Sequence, residues 1–169
     1  MLPRRYESNS FVQALPGRVF AQMDVHTRLS SHMGEPSWRT GWGRMKTELD
    51  EEHGQKVGSR MRLSGRVFGV ELSVEEMVTE RIPPRRKVWE STGAPKLLVI
   101  GHYRMGFELS PHGNGSMLRV FIEYALPESG LALWLGRLFG QRYARWCTRQ
   151  MVDDTVKNFE ASPTTQRSI

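Results

Sequence analysis

The sequence places one carboxylate among apolar residues. Leu72, Val74 and Val78 alternate with polar residues over the segment 71–79, and this alternation puts Glu76 on the apolar side. Apolar surroundings disfavour the charged form of a carboxyl group, which suits it to proton transfer or to binding a ligand hydroxyl. Two alternatives are a β-bulge that turns Glu76 outward and an arginine of the C-terminal helix that neutralises it.

Three tyrosines are further candidates for polar groups inside the molecule. Tyr103, Tyr124 and Tyr143 each lie on the apolar side of their own predicted strand or helix. Their rings are expected to line a pocket, and their hydroxyl groups to orient the polar end of a ligand. The alternative is that they are core tyrosines with satisfied hydroxyl groups. Cys147 lies within an apolar stripe beside Trp146, and we expect it to be buried and unreactive.

Spacings typical of metal and nucleotide sites do not occur in the sequence. His26 and His32 are six residues apart and share no helix face, while His53, His102 and His112 fall in predicted turns or on an exposed strand face. Phosphate-binding glycine loops and nucleophile motifs are also missing. We therefore expect no metal and no cofactor.

Composition indicates one globular domain with a substantial core. The chain has 169 residues, of which 38% are hydrophobic and 25% charged. The net charge is +6, but basic residues occur in short separate clusters without interleaved aromatic residues, so no nucleic-acid partner is expected. A single cysteine excludes a disulfide framework. The start of the chain lacks the apolar segment of a secretory signal, which favours a cytoplasmic location.

The apolar periodicity predicts the secondary structure. A short edge strand is expected at residues 9–14, followed by short helices at 17–23 and 26–33, the second of them capped by Asp24. A period of two from residue 44 onward predicts an antiparallel meander of six strands, or seven with the N-terminal strand. One long strand is predicted over residues 97–110.

The last third of the chain changes to a helical period. Apolar residues recur at steps of three and four, which predicts one amphipathic helix of about 30 residues buried against the concave side of the sheet. Gly136 and Gly140 are expected to let this helix approach the sheet closely, with a membrane dimerisation pair as the alternative.

The order of these elements and several segments are similar to a known superfamily. The segments lie at residues 19–33, 78–90, 107–115, 120–127 and 143–147, the second with the sequence Val-Thr-Glu-Arg-Ile-Pro-Pro-Arg-Arg-Lys-Val-Trp-Glu. They resemble the START / polyketide cyclase-dehydrase superfamily (SRPBCC). The resemblance implies an α+β helix-grip fold: one START-like domain over residues 1–162, with a curved antiparallel sheet wrapped on the long helix. The last residues, 163–169, are expected to form a frayed tail.

The resemblance also implies a cavity between sheet and helix that takes hydrophobic small molecules, without a universal catalytic motif. From the apolar side of each element we predict one shared pocket of hundreds of Å³. The residues predicted to line it and to contact the ligand are Met61, Leu63, Val67, Val74, Glu76, Val78, Trp89, Tyr103, Met105, Val120, Ile122, Tyr124, Phe139, Tyr143, Trp146 and Met151.

The sequence therefore favours a protein that binds a hydrophobic or amphipathic small molecule of lipid, polyketide or aromatic type. One alternative is a cyclase or dehydratase with Glu76 and a cavity tyrosine as acid and base, and another is a non-catalytic module that binds a partner protein. The apolar segment 131–135, with Trp134 and the nearby Arg137, is compatible with a packed lid over the mouth of the cavity, with a contact to a partner subunit, or with a weak contact to an anionic membrane surface. A monomer or a homodimer is compatible with these features.

Overall fold

A computed structural model describes residues 2–25, 45–67, 69–128 and 130–161, except for the side chains of Met45 and Val67. In chain order its elements are β1 (Arg4–Val12), α1 (Pro16–Met23), β2 (Met45–Leu49), β3 (Arg60–Val67), β4 (Val70–Ile82), β5 (Arg86–Lys96), β6 (Tyr103–His112), β7 (Gly115–Tyr124) and α2 (Gly130–Glu160). The second short helix expected at residues 26–33 lies outside the described residues.

The strands form a single antiparallel sheet in the order β1-β7-β6-β5-β4-β3-β2. Strands β2 to β7 follow one another as a meander, and β1 pairs with β7 at the opposite edge from β2. The predicted meander is confirmed, and the N-terminal segment supplies its seventh strand. The sheet curves around α2, which is the helix-grip arrangement expected from the sequence.

Two predicted strands have wrong boundaries: the N-terminal strand expected at residues 9–14 lies at Arg4–Val12, and a later strand is predicted to begin too early. The strand expected over residues 97–110 begins only at Tyr103. Residues before it pair differently: the Gly101 amide donates to the Ala125 carbonyl, and the Ala125 amide donates to the His102 carbonyl. The backbone around Val99 instead lies against α2, so its apolar side chains gave the pattern of a strand without belonging to one.

Helix α1 begins where the sequence predicts it. Pro16 occupies its first turn, a position that needs no backbone N–H donor. Val19, Phe20 and Met23 form its buried face, and α1 packs against β6 and β7.

Helix α2 packs mainly across β1 and β7 through small residues. A Cβ atom at Gly136 would lie 2.9 Å from the Val99 carbonyl oxygen and 2.8 Å from Cδ of Pro127, and one at Gly140 would lie 3.0 Å from the same carbonyl. The two glycines therefore permit close packing inside the molecule, as expected. Ala144 and Thr148 continue this stripe, so the contact face is narrower and smaller in volume than the predicted stripe of large apolar residues.

The outer face of the sheet carries a closed ring of alternating charges around the buried ring of Phe121. Each member forms ion pairs with its two neighbours in the ring, the longest of them at 3.9 Å. The ring consists, in order, of Arg5, Glu7, Arg119, Glu108, Arg86, Glu80, Arg104 and Glu123. The guanidinium groups of Arg5 and Arg86 lie 5.4 and 5.5 Å from the centre of the Phe121 ring. Four arginines of this basic protein are thus neutralised by its own glutamates.

Replacing Gly136 by alanine is predicted to destabilise the protein although alanine is the better helix former. Overpacking against the Val99 carbonyl costs about 1–3 kcal/mol, of which about 1 kcal/mol is offset by helix propensity. Thermal unfolding should show the melting temperature of Gly136→Ala lowered by roughly 2–6 °C.

The matched control is Gly17→Ala in α1, where an added Cβ meets nothing within 4 Å. Its melting temperature should stay level or rise slightly, because only the helix-propensity term remains. A rise of similar size in both variants would show that α2 is not held close to the 97–102 segment.

Candidate functional site

The inner face of the sheet gathers most of the residues predicted to contact a ligand into one buried cluster. Antiparallel register places neighbours such as Met105 and Ile122 side by side on that face. The predicted residues in the cluster are Met61, Leu63, Val74, Val78, Trp89, Tyr103, Met105, Val120, Ile122, Tyr124 and Met151, with Tyr143 and Trp146 packed against it. The structure thus brings them together, while their contact with a ligand stays a prediction.

One predicted residue falls outside this cluster. Phe139 is 43% exposed, which corrects its expected place on the buried side of α2. It precedes Tyr143 by one helical turn and so lies on the same side of α2, nearer the helix start. The side chain of Val67 lies outside the described part of the chain.

Glu76 lies inside the apolar cluster, as the alternation predicts, and is only 4% exposed. Strand β4 pairs with β3 in unbroken register, so Glu76 stays on the same side as Val74 and Val78. The pairing of β4 with β5 shifts on either side of it, after Ser73 and after Val78, yet neither shift turns it outward. The hydroxyl group of Tyr103 on β6 donates a short hydrogen bond to Oε1 of Glu76.

The groups around Glu76 are held in their neutral forms. Burial, together with the negative charge of Glu76, raises the pKa of Tyr103 well above its usual value. Burial likewise raises the pKa of Tyr143, and it raises the pKa of Cys147 to about 12. At neutral pH these phenol and thiol groups are therefore protonated, and the thiol is unsuited to act as a nucleophile.

A second polar cluster joins the end of α1 to the sheet. The ammonium group of Lys87, which is fully buried on β5, donates to the Asp24 backbone carbonyl at 2.7 Å and lies 3.0 Å from Oδ1 of the same residue. Arg81 on β4 adds a hydrogen bond of 2.8 Å to Oδ2 of Asp24, and its guanidinium group lies over the ring of Phe20.

Sequence reasoning missed this cluster. In the sequence, Lys87 belongs to the short basic cluster at residues 85–87, and Asp24 is expected only to cap the second short helix. The available signal was spacing, because Lys87 is two residues before the buried Trp89 and therefore shares its face.

Burial and pairing compete in the pKa values of this cluster. Burial alone would raise the pKa of Asp24, but the hydrogen bonds from Arg81 and Lys87 outweigh it and hold the pKa below its usual value. Burial lowers the pKa of Lys87, and the hydrogen bond to Asp24 only partly restores it. The cluster is therefore a paired ionic site rather than a free cation.

The part of the chain that the structure describes contains no group of three His, Cys, Asp or Glu side chains placed to hold a metal ion. His26 and His32 lie outside that part. Within the same ranges, no helix is long and apolar enough to cross a membrane.

Comparison with known proteins identifies the fold through solved structures. No protein-family model matches the sequence, and no curated protein matches it significantly. The Zhui aromatase/cyclase from Streptomyces sp. R1128 is similar with a TM-score of 0.72 and 14% identity, over 98% of this chain and 100% of that one. The di-domain ARO/CYC protein StfQ from the steffimycin biosynthetic pathway is similar with a TM-score of 0.67 and 10% identity, over 93% of this chain and 51% of that one.

A plant protein shares the fold as well. The major latex-like protein 151 from Panax ginseng is similar with a TM-score of 0.58 and 8% identity, over 94% of this chain and 95% of that one. At such identities the similarity establishes the fold alone. The chain therefore has the helix-grip fold that the resemblance of its sequence implied.

The ionic cluster predicts a specific loss of stability in acid. The pKa of Asp24 is lower in the folded protein than in the unfolded chain, where it lies near 3.9. The charge of Asp24 therefore contributes fully to the free energy of unfolding above about pH 3.9. This contribution is lost as the pH falls through the lower folded-state pKa. Asp24→Asn should cost about 3 kcal/mol at about pH 7, because Lys87 is left buried without its counter-charge. Urea unfolding of both proteins should show this difference shrinking at about pH 3.

Asp153→Asn is the control, because Asp153 lies exposed on α2. Its unfolding free energy should stay within about 0.5 kcal/mol of the wild type. If the cost of Asp24→Asn is the same at both pH values, the stabilisation does not come from the charge of Asp24.

Proposed function

We propose that the protein binds a hydrophobic or amphipathic small molecule, of lipid, polyketide or aromatic type, between the inner face of the sheet and α2. The polar end of the ligand is held at Glu76 and Tyr103. The observation that carries the proposal is the buried hydrogen bond from Tyr103 to Glu76 on a face that is otherwise apolar.

A buried carboxylate supports a binding role because it is costly as a purely structural element. Removing an ion from water costs several kcal/mol, and well-packed apolar residues in its place often give equal or greater stability. An apolar pocket with a few well-placed polar groups is the usual form of a small-molecule site. Glu76 and Tyr103 supply such groups.

The position of α2 favours a ligand site beside it. The helix rests on β1 and β7, at one side of the curved sheet, whereas Met61, Val74 and Val78 belong to strands nearer the other edge. Tyr143 and Trp146 extend from α2 toward the same buried cluster, with their ring centres 5.9 Å apart. A ligand lying over β3 to β5 would contact apolar side chains on both sides.

The similar structures support a small-molecule ligand of this kind. One of them is named an aromatase/cyclase and another an ARO/CYC protein from a biosynthetic pathway. The proposal for this chain takes from them only the class of ligand.

An acid–base enzyme of the cyclase or dehydratase type is the second candidate, because Glu76 and Tyr103 converge. Acid–base catalysis is most effective when the pKa of the group lies near the working pH. Burial moves the pKa of Tyr103 and Tyr143 upward, away from neutrality. The phenols are therefore poorly suited to transfer protons at neutral pH, which favours binding over catalysis.

The pocket is tested by filling it. Val74 is buried on the inner face, and Val74→Phe should fill ligand space: the variant is expected to remain folded and to bind the neutral fluorescent probe N-phenyl-1-naphthylamine at least about tenfold more weakly than the wild type. Val70→Phe is the matched control, because Val70 begins the same strand but is exposed. This variant should bind the probe like the wild type.

Stability measurements separate a pocket from a filled core. If Val74 packs in a filled core, the added ring costs about 1–3 kcal/mol of stability and wild-type protein does not bind the probe. That result would contradict the proposal. Native mass spectrometry of freshly purified protein should in addition show a non-covalent adduct whose mass identifies the ligand.

We further propose that the ligand is exchanged at an anionic membrane surface through the start of α2. Steps of three and four residues align six side chains on one side of the helix: Leu131, Trp134, Leu138, Arg142, Arg145 and Arg149. The first three are exposed, with Trp134 at 59%. No acidic residue occurs between Gly130 and Val152. An exposed apolar end continued by arginines suits shallow insertion beside anionic headgroups.

Co-sedimentation with phosphatidylserine-containing vesicles tests this contact. At about 0.02 M salt the wild type should sediment with the vesicles, and Trp134→Ala should sediment several-fold less. At about 0.5 M salt both proteins should be released, because each basic group contributes only about 1 kcal/mol to membrane binding and salt screens this attraction. Leu15→Ala is the control, since Leu15 is 62% exposed but lies before α1. Equal sedimentation of all three proteins, or none at any salt, would contradict membrane docking by α2.

A further inference from the structure

We propose that Tyr6, Arg145 and Arg149 form a phosphate site between β1 and α2, and that this site recognises the phosphate monoester headgroup of an anionic lipid. This inference rests on the proposed membrane contact of α2, and it names the headgroup chemistry that the contact selects.

Two guanidinium groups meet at the hydroxyl group of Tyr6. Nε of Arg145 donates to Oη of Tyr6 at 3.0 Å, and its guanidinium group lies 5.5 Å from the centre of the Tyr6 ring. Arg149 follows about one helical turn later on the same side of α2. The hydrogen bond from Arg145 lowers the pKa of Tyr6, and the charge and hydrogen bonding of Arg149 lower it further. This position therefore favours negative charge.

Packing between β1 and α2 holds the site in shape. Tyr6 and Ser8 lie on the same face of β1, and the Ser8 hydroxyl oxygen lies 3.1 Å from Oγ1 of the buried Thr148. Thr148 precedes Arg149 directly on α2, so this hydrogen bond fixes the strand against the helix beside the site. Arg145 and Arg149 are exposed and Tyr6 is half-buried, which leaves their polar groups accessible to a ligand.

The positive charge of this surface is not neutralised from within the described ranges. Glu7 follows Tyr6 on β1 but points to the outer face, where it belongs to the ring of alternating charges. Asp153 lies one helical turn after Arg149 and is not paired with it. Within the same ranges, neither Arg145 nor Arg149 forms an ion pair. The outer face pairs its arginines with glutamates, whereas this surface keeps its charge for an external anion.

A phosphate monoester matches these groups in charge and in hydrogen bonding. It carries a charge of about −1.5 to −2 near pH 7 and three strong acceptor oxygens. The guanidinium groups of Arg145 and Arg149 supply a similar positive charge, and each can donate two parallel hydrogen bonds to phosphate oxygens. The Tyr6 hydroxyl accepts from Arg145 and has its own hydrogen to donate. A phosphatidylserine headgroup carries less net charge and gains less from the two arginines.

The location of the site favours a lipid as the source of the phosphate. Arg145 and Arg149 lie on the same side of α2 as the exposed Leu131, Trp134 and Leu138. A rise of 1.5 Å per residue places Arg145 about 16 Å along the helix from Trp134. If α2 lies flat on a bilayer with this side down, the apolar residues insert while the arginines reach the headgroups.

Vesicles of matched surface charge test the headgroup preference. Phosphatidylcholine vesicles with about 10% phosphatidic acid are compared with vesicles that contain about 20% phosphatidylserine, because a phosphate monoester carries nearly twice the charge. At about 0.05 M salt and about pH 7.5, co-sedimentation of the wild type should show at least about fivefold tighter binding to the phosphatidic acid vesicles.

Variants assign the preference to the site. It should fall at least about threefold in each of three variants: Tyr6→Phe, Arg145→Gln and Arg149→Gln. Arg142→Gln is the matched control, because it removes the same charge from the same side of α2, and Arg142 does not contribute to the lowered pKa of Tyr6. This control should weaken binding to both kinds of vesicle alike and leave their ratio unchanged.

The failures are distinguishable. Equal binding of the two kinds of vesicle by the wild type, or a preference that Arg145→Gln and Arg149→Gln leave intact, overturns the inference but leaves the membrane contact standing. An equal loss of preference in Arg142→Gln would show unspecific attraction and overturns it as well.

Calorimetry with glycerol 3-phosphate distinguishes a soluble phosphate from a lipid headgroup. Micromolar binding of this compound, without a preference among vesicles, would assign the site to a soluble phosphate monoester and overturn the lipid source. No binding to any vesicle overturns both the inference and the membrane contact, whereas binding of N-phenyl-1-naphthylamine tests the pocket independently.

Discussion

The structure depends on pairing the charges that its sequence places on the buried face of the sheet. Glu76 on β4 and Lys87 on β5 both point inward, where an unpaired ion costs several kcal/mol. Their partners come from other elements: Tyr103 lies on β6, and Asp24 closes the last turn of α1. Satisfying these two charges therefore fixes the relative positions of α1 and three strands. The hydrogen bond between Tyr103 and Glu76 thus both positions the strands and forms the polar part of the candidate site.

On the outer face of the sheet, ion-paired side chains accommodate an apolar group rather than a buried charge. There Phe121 lies on a surface open to water, and the ring of arginines and glutamates covers it. The Phe121 ring packs directly against the backbone of Gly106. A side chain at this position would not fit, because a Cβ atom there would lie 2.9 Å from Cζ of Phe121. Single surface ion pairs contribute little, but here each residue belongs to two pairs, and Arg5 and Arg86 also contact the aromatic ring. Glu76 and Phe121 are thus each on the less suitable face, and each is accommodated by neighbouring polar groups.

Different sides of helix α2 pack against the sheet and face the proposed ligand site. The stripe of Gly136, Gly140, Ala144 and Thr148 brings its backbone close to the sheet and to the segment around Val99. Because the contact residues are small, the larger Tyr143 and Trp146 lie beside the contact rather than within it, next to the apolar cluster of the inner face. A third side of the helix carries exposed apolar residues followed by arginines. One amphipathic segment thereby provides packing, a wall of the proposed site and the proposed membrane contact.

The sequence by itself determined the local features. Alternation with a period of two located the strands and the inward direction of Glu76, and helical spacing located α2 and the close approach at Gly136 and Gly140. These features depend only on side-chain direction along one element, which periodicity reports. Only the tertiary structure decided where β6 begins, which face of α2 meets the sheet, and which groups pair. Glu76 and Tyr103 are 27 residues apart, and Asp24 and Lys87 are 63 apart. Such partners meet through strand register and sheet curvature, and the order of residues along one strand does not encode either of these.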